Sequence, residues 1–173
     1  MHALLRVAGL IDALTERVGR AARWLILLTA LISAGNALAR YALNASSNAW
    51  LEIQWYLFAA VFLLCSGYAL KHQQHVRVDV VASRLSPRAR AWIDIAGTLL
   101  FLLPMALLIL ELSWPVFVDS WRSGEVSSNA NGLVLWPARA LVPAGFALLA
   151  LQGVSELLKR VAFLRGAIPD PKP

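Results

Sequence analysis

The sequence predicts an all-α integral membrane protein with four transmembrane helices, and three observations predict it. Apolar residues make up 59% of the 173-residue chain and charged ones only 15%, against the roughly 25% charged that soluble domains carry. The apolar residues gather in four blocks, WLILLTALISAGNALA, QWYLFAAVFLLCSGYAL, IAGTLLFLLPMALLIL and LVPAGFALLALQGV. Each comes close to the ~20 residues that cross a hydrocarbon core of ~30 Å once flanking turns are added. The charges collect at the ends of these blocks, which places spans at 22–42, 49–70, 90–116 and 134–158 within one membrane domain, 1–173.

A net charge of +6 and a pI near 10.2 would suit nucleic acid if the cations formed a patch. They do not, and no nucleic-acid partner is expected. Arg6, Arg17, Arg20 and Arg23 precede the first span; Lys71, Arg77, Arg84, Arg88 and Arg90 border the second connection; Lys159, Arg160, Arg165 and Lys172 follow the fourth span. Only Arg40, Arg122 and Arg139 remain for the other side. The positive-inside rule therefore puts both termini and the 71–90 connection in the cytoplasm. Six of the seven tryptophans, all but Trp55, fall at or near these borders, as interfacial aromatics do.

Residues 3–18 space Leu4, Val7, Ile11, Leu14 and Val18 as one helical stripe, with Arg6, Asp12, Glu16 and Arg17 largely off it. The pattern predicts an amphipathic helix on the cytoplasmic membrane surface, with a bend at Gly19 before the first span. The triplet Ala37-Leu38-Ala39 resembles a signal-peptidase site, but the long preceding region carries Asp12 and Glu16, so the segment reads as uncleaved. In the turn ALNASSNAW, Ser47 or Asn48 can cap the second span. Ser86-Pro87 supplies an N-cap and first-turn proline for the third, which Pro104 should kink. The connection HVRVDVV alternates like a strand, yet Val78, Val81, Ala82 and Leu85 also follow helical spacing. A lone strand beside a bilayer would leave both edges unpaired, so a short interfacial helix over 72–85 is expected. His72 and His75 lack the third and fourth donors a metal site needs, and no cofactor is expected.

Around Leu31, Val61, Leu102 and Ala147 there is no Asp, Glu, Lys, Arg or His. No proton relay or carboxylate ion site can therefore be built at mid-depth from this chain alone. Depth matches Arg40 with Glu52, and Glu111, ~31 Å past Arg90 by helical rise, with Arg139. Asp94 after Arg90, and Glu156 before Lys159 and Arg160, have the spacing of local helix pairs. Asn36, Ser66 and Gln152 suit hydrogen bonds between helices. Gly145 and Gly153 would let another helix approach. Cys65 reads as a small apolar residue within the second span.

The ordered segments NALARYALN, NAWLEIQWYLF, HVRVDVV and SGEVSSNANGLVLWPARALVPAGFALLALQGVSELLKR resemble the small permease subunit of tripartite ATP-independent periplasmic (TRAP) transporters, from about Asn36 to Arg160. The best markers are His75, Val76, Val78 and Asp79, then Arg40-Tyr41, Trp50 with Glu52, and Trp136-Pro137 ahead of Gly145-Phe146. Many relatives carry two adjacent acidic residues after the tryptophan; here Glu52 is followed by Ile53. The resemblance implies a bacterial inner-membrane protein that is not an enzyme. Its expected partners are a large membrane permease subunit, a periplasmic substrate-binding protein for organic acids, and membrane lipids. Sodium would bind the large subunit. Arg40, Glu52, His75, Asp79, Glu111, Glu125, Arg139 and Gln152 are then candidates for partner contact or structural support. The alternative is a self-sufficient four-helix carrier using Glu52 or Glu111.

Overall fold

The computed structural model describes residues 2–44, 47–73 and 85–170. The connection expected to form an interfacial helix, with its markers His75 and Asp79, falls in 74–84 and lies outside the described residues.

Helix α1 runs from His2 to Leu43 without interruption. Its 42 residues extend about 63 Å at 1.5 Å per residue, twice the depth of a hydrocarbon core. Gly19 does not bend the chain. It lies in the middle of the helix, where an added Cβ would run into the Tyr68 ring, so the glycine serves close packing on the next span. The face that α1 buries consists of Ala8, Thr15, Gly19, Ala22 and Thr29, small residues on a near-heptad spacing. The larger stripe points elsewhere: Leu4, Val7 and Leu14 remain exposed.

The second span is α2 (Asn48–Leu64) followed by α3 (Ser66–Lys71), joined through Cys65. The join barely breaks the ladder, since Cys65 N–H donates to Val61 O at 3.0 Å and Ala69 N–H to Cys65 O at 2.8 Å. Ser47 is the N-cap, its hydroxyl accepting from Ala49 N–H. The third span starts with α4 (Pro87–Gly97), capped by Ser86 with Pro87 in the first turn. A π-helical turn, Thr98–Leu102, then leads into α5 (Leu103–Ser123). Pro104 has no N–H and its ring displaces the carbonyl one turn back; the chain answers with a wider turn in which Leu103 N–H donates to Thr98 O. Such single π turns inside α-helices are one way a ladder absorbs this misfit.

The last span, α6 (Trp136–Leu164), is the hub of the packing. It contacts α1, α2, α3, α4 and α5, while α1 also packs along α2, and α5 packs chiefly on α6. Among the described residues, four helices are long and apolar enough to cross a membrane. Much large apolar surface stays on the outside of this bundle, including Leu31, Phe58, Phe62, Phe101, Leu108 and Trp114. In water such area drives association; around a membrane bundle it faces acyl chains or a partner helix.

Gly145 permits a close contact of α6 on α2. A Cβ there would meet Leu63 Cβ at 2.7 Å and Leu63 O at 2.8 Å, and a backbone oxygen cannot rotate away. Gly145→Ala is expected to push α6 off α2 and cost about 1–3 kcal/mol, the range for overpacking. Thermal unfolding in detergent checks this, and an unchanged midpoint would contradict the contact.

Candidate functional site

Polar side chains in this bundle are concentrated at two levels, one at each end. At the end away from the basic termini, residues 124–135 fold back between α5 and α6 through an antiparallel bridge of Val126 with Val134. Ser127 N–H donates to Leu133 O, and Leu135 N–H to Glu125 O, both at 2.9 Å. The Glu52 carboxylate, just past the first turn of α2, enters this loop and is 3% exposed as a residue. One oxygen accepts from Ser127 Oγ at 2.5 Å and Asn129 Nδ2 at 2.7 Å, the other from Leu133 N–H at 2.6 Å. Three donors on one carboxylate leave it little capacity for a travelling ion. Asn48 Nδ2 to Ala130 O and Tyr56 OH to Val134 O add two more ties from α2. Arg139 closes the loop from the other side on Glu125, at 2.5 and 2.7 Å. An aromatic row, Trp114, Phe117, Trp121 and Trp136, packs edge to face beside it.

The second level lies on the basic side. Asp12 of α1 faces α6, where its carboxylate accepts from Gln152 Nε2 at 2.9 Å, Ser155 Oγ at 2.7 Å and Lys159 Nζ at 3.1 Å. Lys159 also binds Glu156 at 2.7 Å, and Ser155 Oγ lies 3.2 Å from Ala8 O. One turn along α1, Glu16 binds Lys71 Nζ at 2.8 Å and His72 Nε2 at 2.9 Å, and Lys71 also donates to Asp12 O. Arg160 joins α6 to α4 through Asp94 and to the C-terminal segment through Asp170, each at 2.9 Å. Both carboxyls lie outside the 22–42 span and both titrate low. Burial alone would raise Asp12, but hydrogen bonds from Gln152, Ser155 and Lys159 outweigh it. Bonding to Lys71 and then His72 holds Glu16 at about 2.

The structure thus re-pairs several expected partners. Glu52 meets the loop and not Arg40; Arg139 meets Glu125 and not Glu111; Asp94 reaches across to Arg160. Depth placed these charges at the correct ends, but azimuth around each helix decides contact, and rise alone carries no azimuth. Glu156 with Lys159 and the interhelical role of Gln152 are found as the spacing suggests. Arg40 and Glu111 make no ion pair or hydrogen bond with any described residue. The Asp12–Glu16 clasp escapes a reading that treats charges off the apolar stripe as solvated. Its trace in the sequence is that Asp12 and Glu16 share a helix face with Ala8, Thr15 and Gly19, small residues suited to a close neighbour.

Between the two levels each span runs for roughly fifteen residues without Asp, Glu, Lys, Arg or His. Thr29 and Ser66 turn their hydroxyls onto their own helices, to Leu25 O and Leu63 O at 2.7 Å. Residues 29–163, most of the chain, match the family model described as tripartite ATP-independent periplasmic transporters, DctQ component. The chain belongs to this family. It is a TRAP transporter small permease subunit, and its multi-pass architecture is that of four apolar helices gathered on α6. Neither curated proteins nor solved structures yield a match. In this small TRAP subunit the paired ionisable groups fasten helix ends, and Glu52 and Trp136 sit in or beside the far-side clasp.

Proposed function

We propose that this subunit is the fixed scaffold of a sodium-driven, binding-protein-dependent carrier of organic acids in a bacterial inner membrane, with both termini cytoplasmic. The observation that carries the reading is the stretch between the two clasps, where the spans carry no charged side chain and the hydroxyls of Thr29 and Ser66 are turned onto their own spans. Secondary transporters place cargo and coupling ion at mid-depth on broken helices and coordinating groups. Here those tasks belong to the large membrane subunit. The clasps at the two ends hold the four spans as one body, which gives the moving part of the large subunit something rigid to work against. The far-side loop would then face the periplasm and its substrate-binding protein.

Glu111 supports the same reading. It is exposed on α5 next to Leu107, Leu108, Leu112 and Trp114, with no partner among the described residues. A lone carboxylate beside hydrocarbon is costly, so a donor from the large subunit is expected to meet it there.

The test is reconstitution into liposomes of the purified subunit, of the large subunit, and of both, with the binding protein and a sodium gradient. Uptake is expected only when both membrane subunits are present. Solute movement by this chain alone, abolished by Glu111→Gln, would establish the carrier reading instead.

A further inference from the structure

The polar groove between the far ends of α1 and α2 is used by neither clasp. It has a volume of ≈ 520 Å³ and is lined by Ser33, Asn36, Arg40, Tyr41, Asn44 and Gln54, among others. Among the described residues that line it, Arg40 is the one cation and none is acidic. The nearest carboxylate in sequence, Glu52, is consumed by Ser127, Asn129 and Leu133. A guanidinium with no partner among the described residues, at the edge of a hydrocarbon core, calls for an anion. Its planar fork matches a phosphate in two parallel hydrogen bonds.

We propose that this groove binds the headgroup of an anionic, hydroxylated phospholipid, phosphatidylglycerol, from the leaflet on the loop side. Depth and shape favour a lipid. Tyr41, which lines the groove, is exposed, and interfacial aromatics mark headgroup level. On α2, Phe58 and Phe62 continue the face of Leu51 and Gln54 toward mid-depth, and on α1 Ile26 continues the face of Ser33 two turns in. All three are exposed and offer apolar surface to acyl chains on the two helices that form the groove. The headgroup follows from the lining. The amides of Asn36 and Asn44 and the Tyr41 hydroxyl can bond glycerol hydroxyls, whereas an ethanolamine ammonium finds no carboxylate among the described lining residues.

Native mass spectrometry of the full chain, released from micelles carrying phosphatidylglycerol or phosphatidylethanolamine of identical acyl chains, tests the site. One phosphatidylglycerol per chain is expected, held about tenfold more tightly than its ethanolamine counterpart. Arg40→Gln should abolish that preference, and Arg122→Gln, which removes an exposed cation on the same side, should leave it intact. Asn36→Leu keeps the charge and removes one amide, so it should weaken binding by a smaller factor even if Arg40→Gln proves poorly folded. Equal affinity for the two lipids, or equal occupancy in the Arg40 and Arg122 variants, overturns the proposal. So does displacement of the lipid by millimolar inorganic phosphate, which would make the groove a site for soluble anions. Should Arg40→Gln retain its lipid but lose the large subunit on purification, Arg40 binds a protein carboxylate and the proposal fails.

Discussion

Replacing Asp12 by leucine is expected to free the first half of α1 from α6. The substitution removes the acceptor shared by Gln152, Ser155 and Lys159 at positions where Gln152 and Ser155 are fully buried. Orphaned buried donors cost about 1–3 kcal/mol each, and Glu156 still receives Gln152 and Lys159, so a net loss of about 2–3 kcal/mol is the reasonable sum. Hydrogen exchange of amides around residues 8–20 should accelerate at least ~10-fold while α2 stays protected, since local openings track local stability. The double variant Asp12→Leu with Lys159→Met should recover part of the loss, because removing both charges is milder than stranding one. A single variant with wild-type exchange would show that the clasp contributes nothing.

The same clasp has a pH dependence of fixed sign. Asp12 and Glu16 both titrate below their unfolded values of 3.8 and 4.5. Their contribution is therefore fully present above those values and lost as pH falls toward about 2, where Glu16 takes up its proton in the folded chain. Acidification from pH 5 to 3 should loosen α1 in the wild type and change little in a variant lacking both carboxylates. Loosening of α1 as pH rises from 5 would have the wrong sign.

Glu52→Leu should release the loop at 124–135. Three donors lose their acceptor at once: Ser127 Oγ, Asn129 Nδ2 and Leu133 N–H. Arg139 with Glu125 on one side, and the single bonds from Asn48 to Ala130 O and from Tyr56 to Val134 O on the other, then remain. Proteolytic cleavage within the loop is expected to quicken on the order of tenfold, through a larger open population, with far-UV dichroism of the helices unchanged. Glu52→Gln keeps an acceptor oxygen for part of the set and should fall between the two. This series also separates the scaffold from a carrier that uses Glu52 for ion coupling. The scaffold predicts that loop stability and subunit assembly fail together, leucine worse than glutamine. An intact loop in Glu52→Gln with transport abolished would point to ion chemistry at this carboxylate.

The spans, their caps at Ser47 and Ser86, and the clustering of charge at helix ends were legible in the sequence, because each depends on a local rule. Apolar block length must match the bilayer, orphan amide donors at a helix start need an acceptor, and ions avoid hydrocarbon. The course of α1 was not. Its stripe of Leu4, Val7 and Leu14 predicted a separate surface helix, and Gly19 offered a place to bend, yet the helix continues. The reason lies in Tyr68 and in the residues Gln152, Ser155 and Lys159, which stand far along the chain and hold the small-residue face of α1 in line.

Composition, block length and charge distribution by themselves settled that this is a four-span membrane protein with an uncharged middle, since transfer into hydrocarbon acts on each residue according to its own chemistry. Which carboxylate meets which donor was decided only by the tertiary structure. Glu52 takes a loop more than seventy residues away and Asp12 takes α6, because the direction a side chain points depends on how each helix is rotated against α6, and packing sets that rotation.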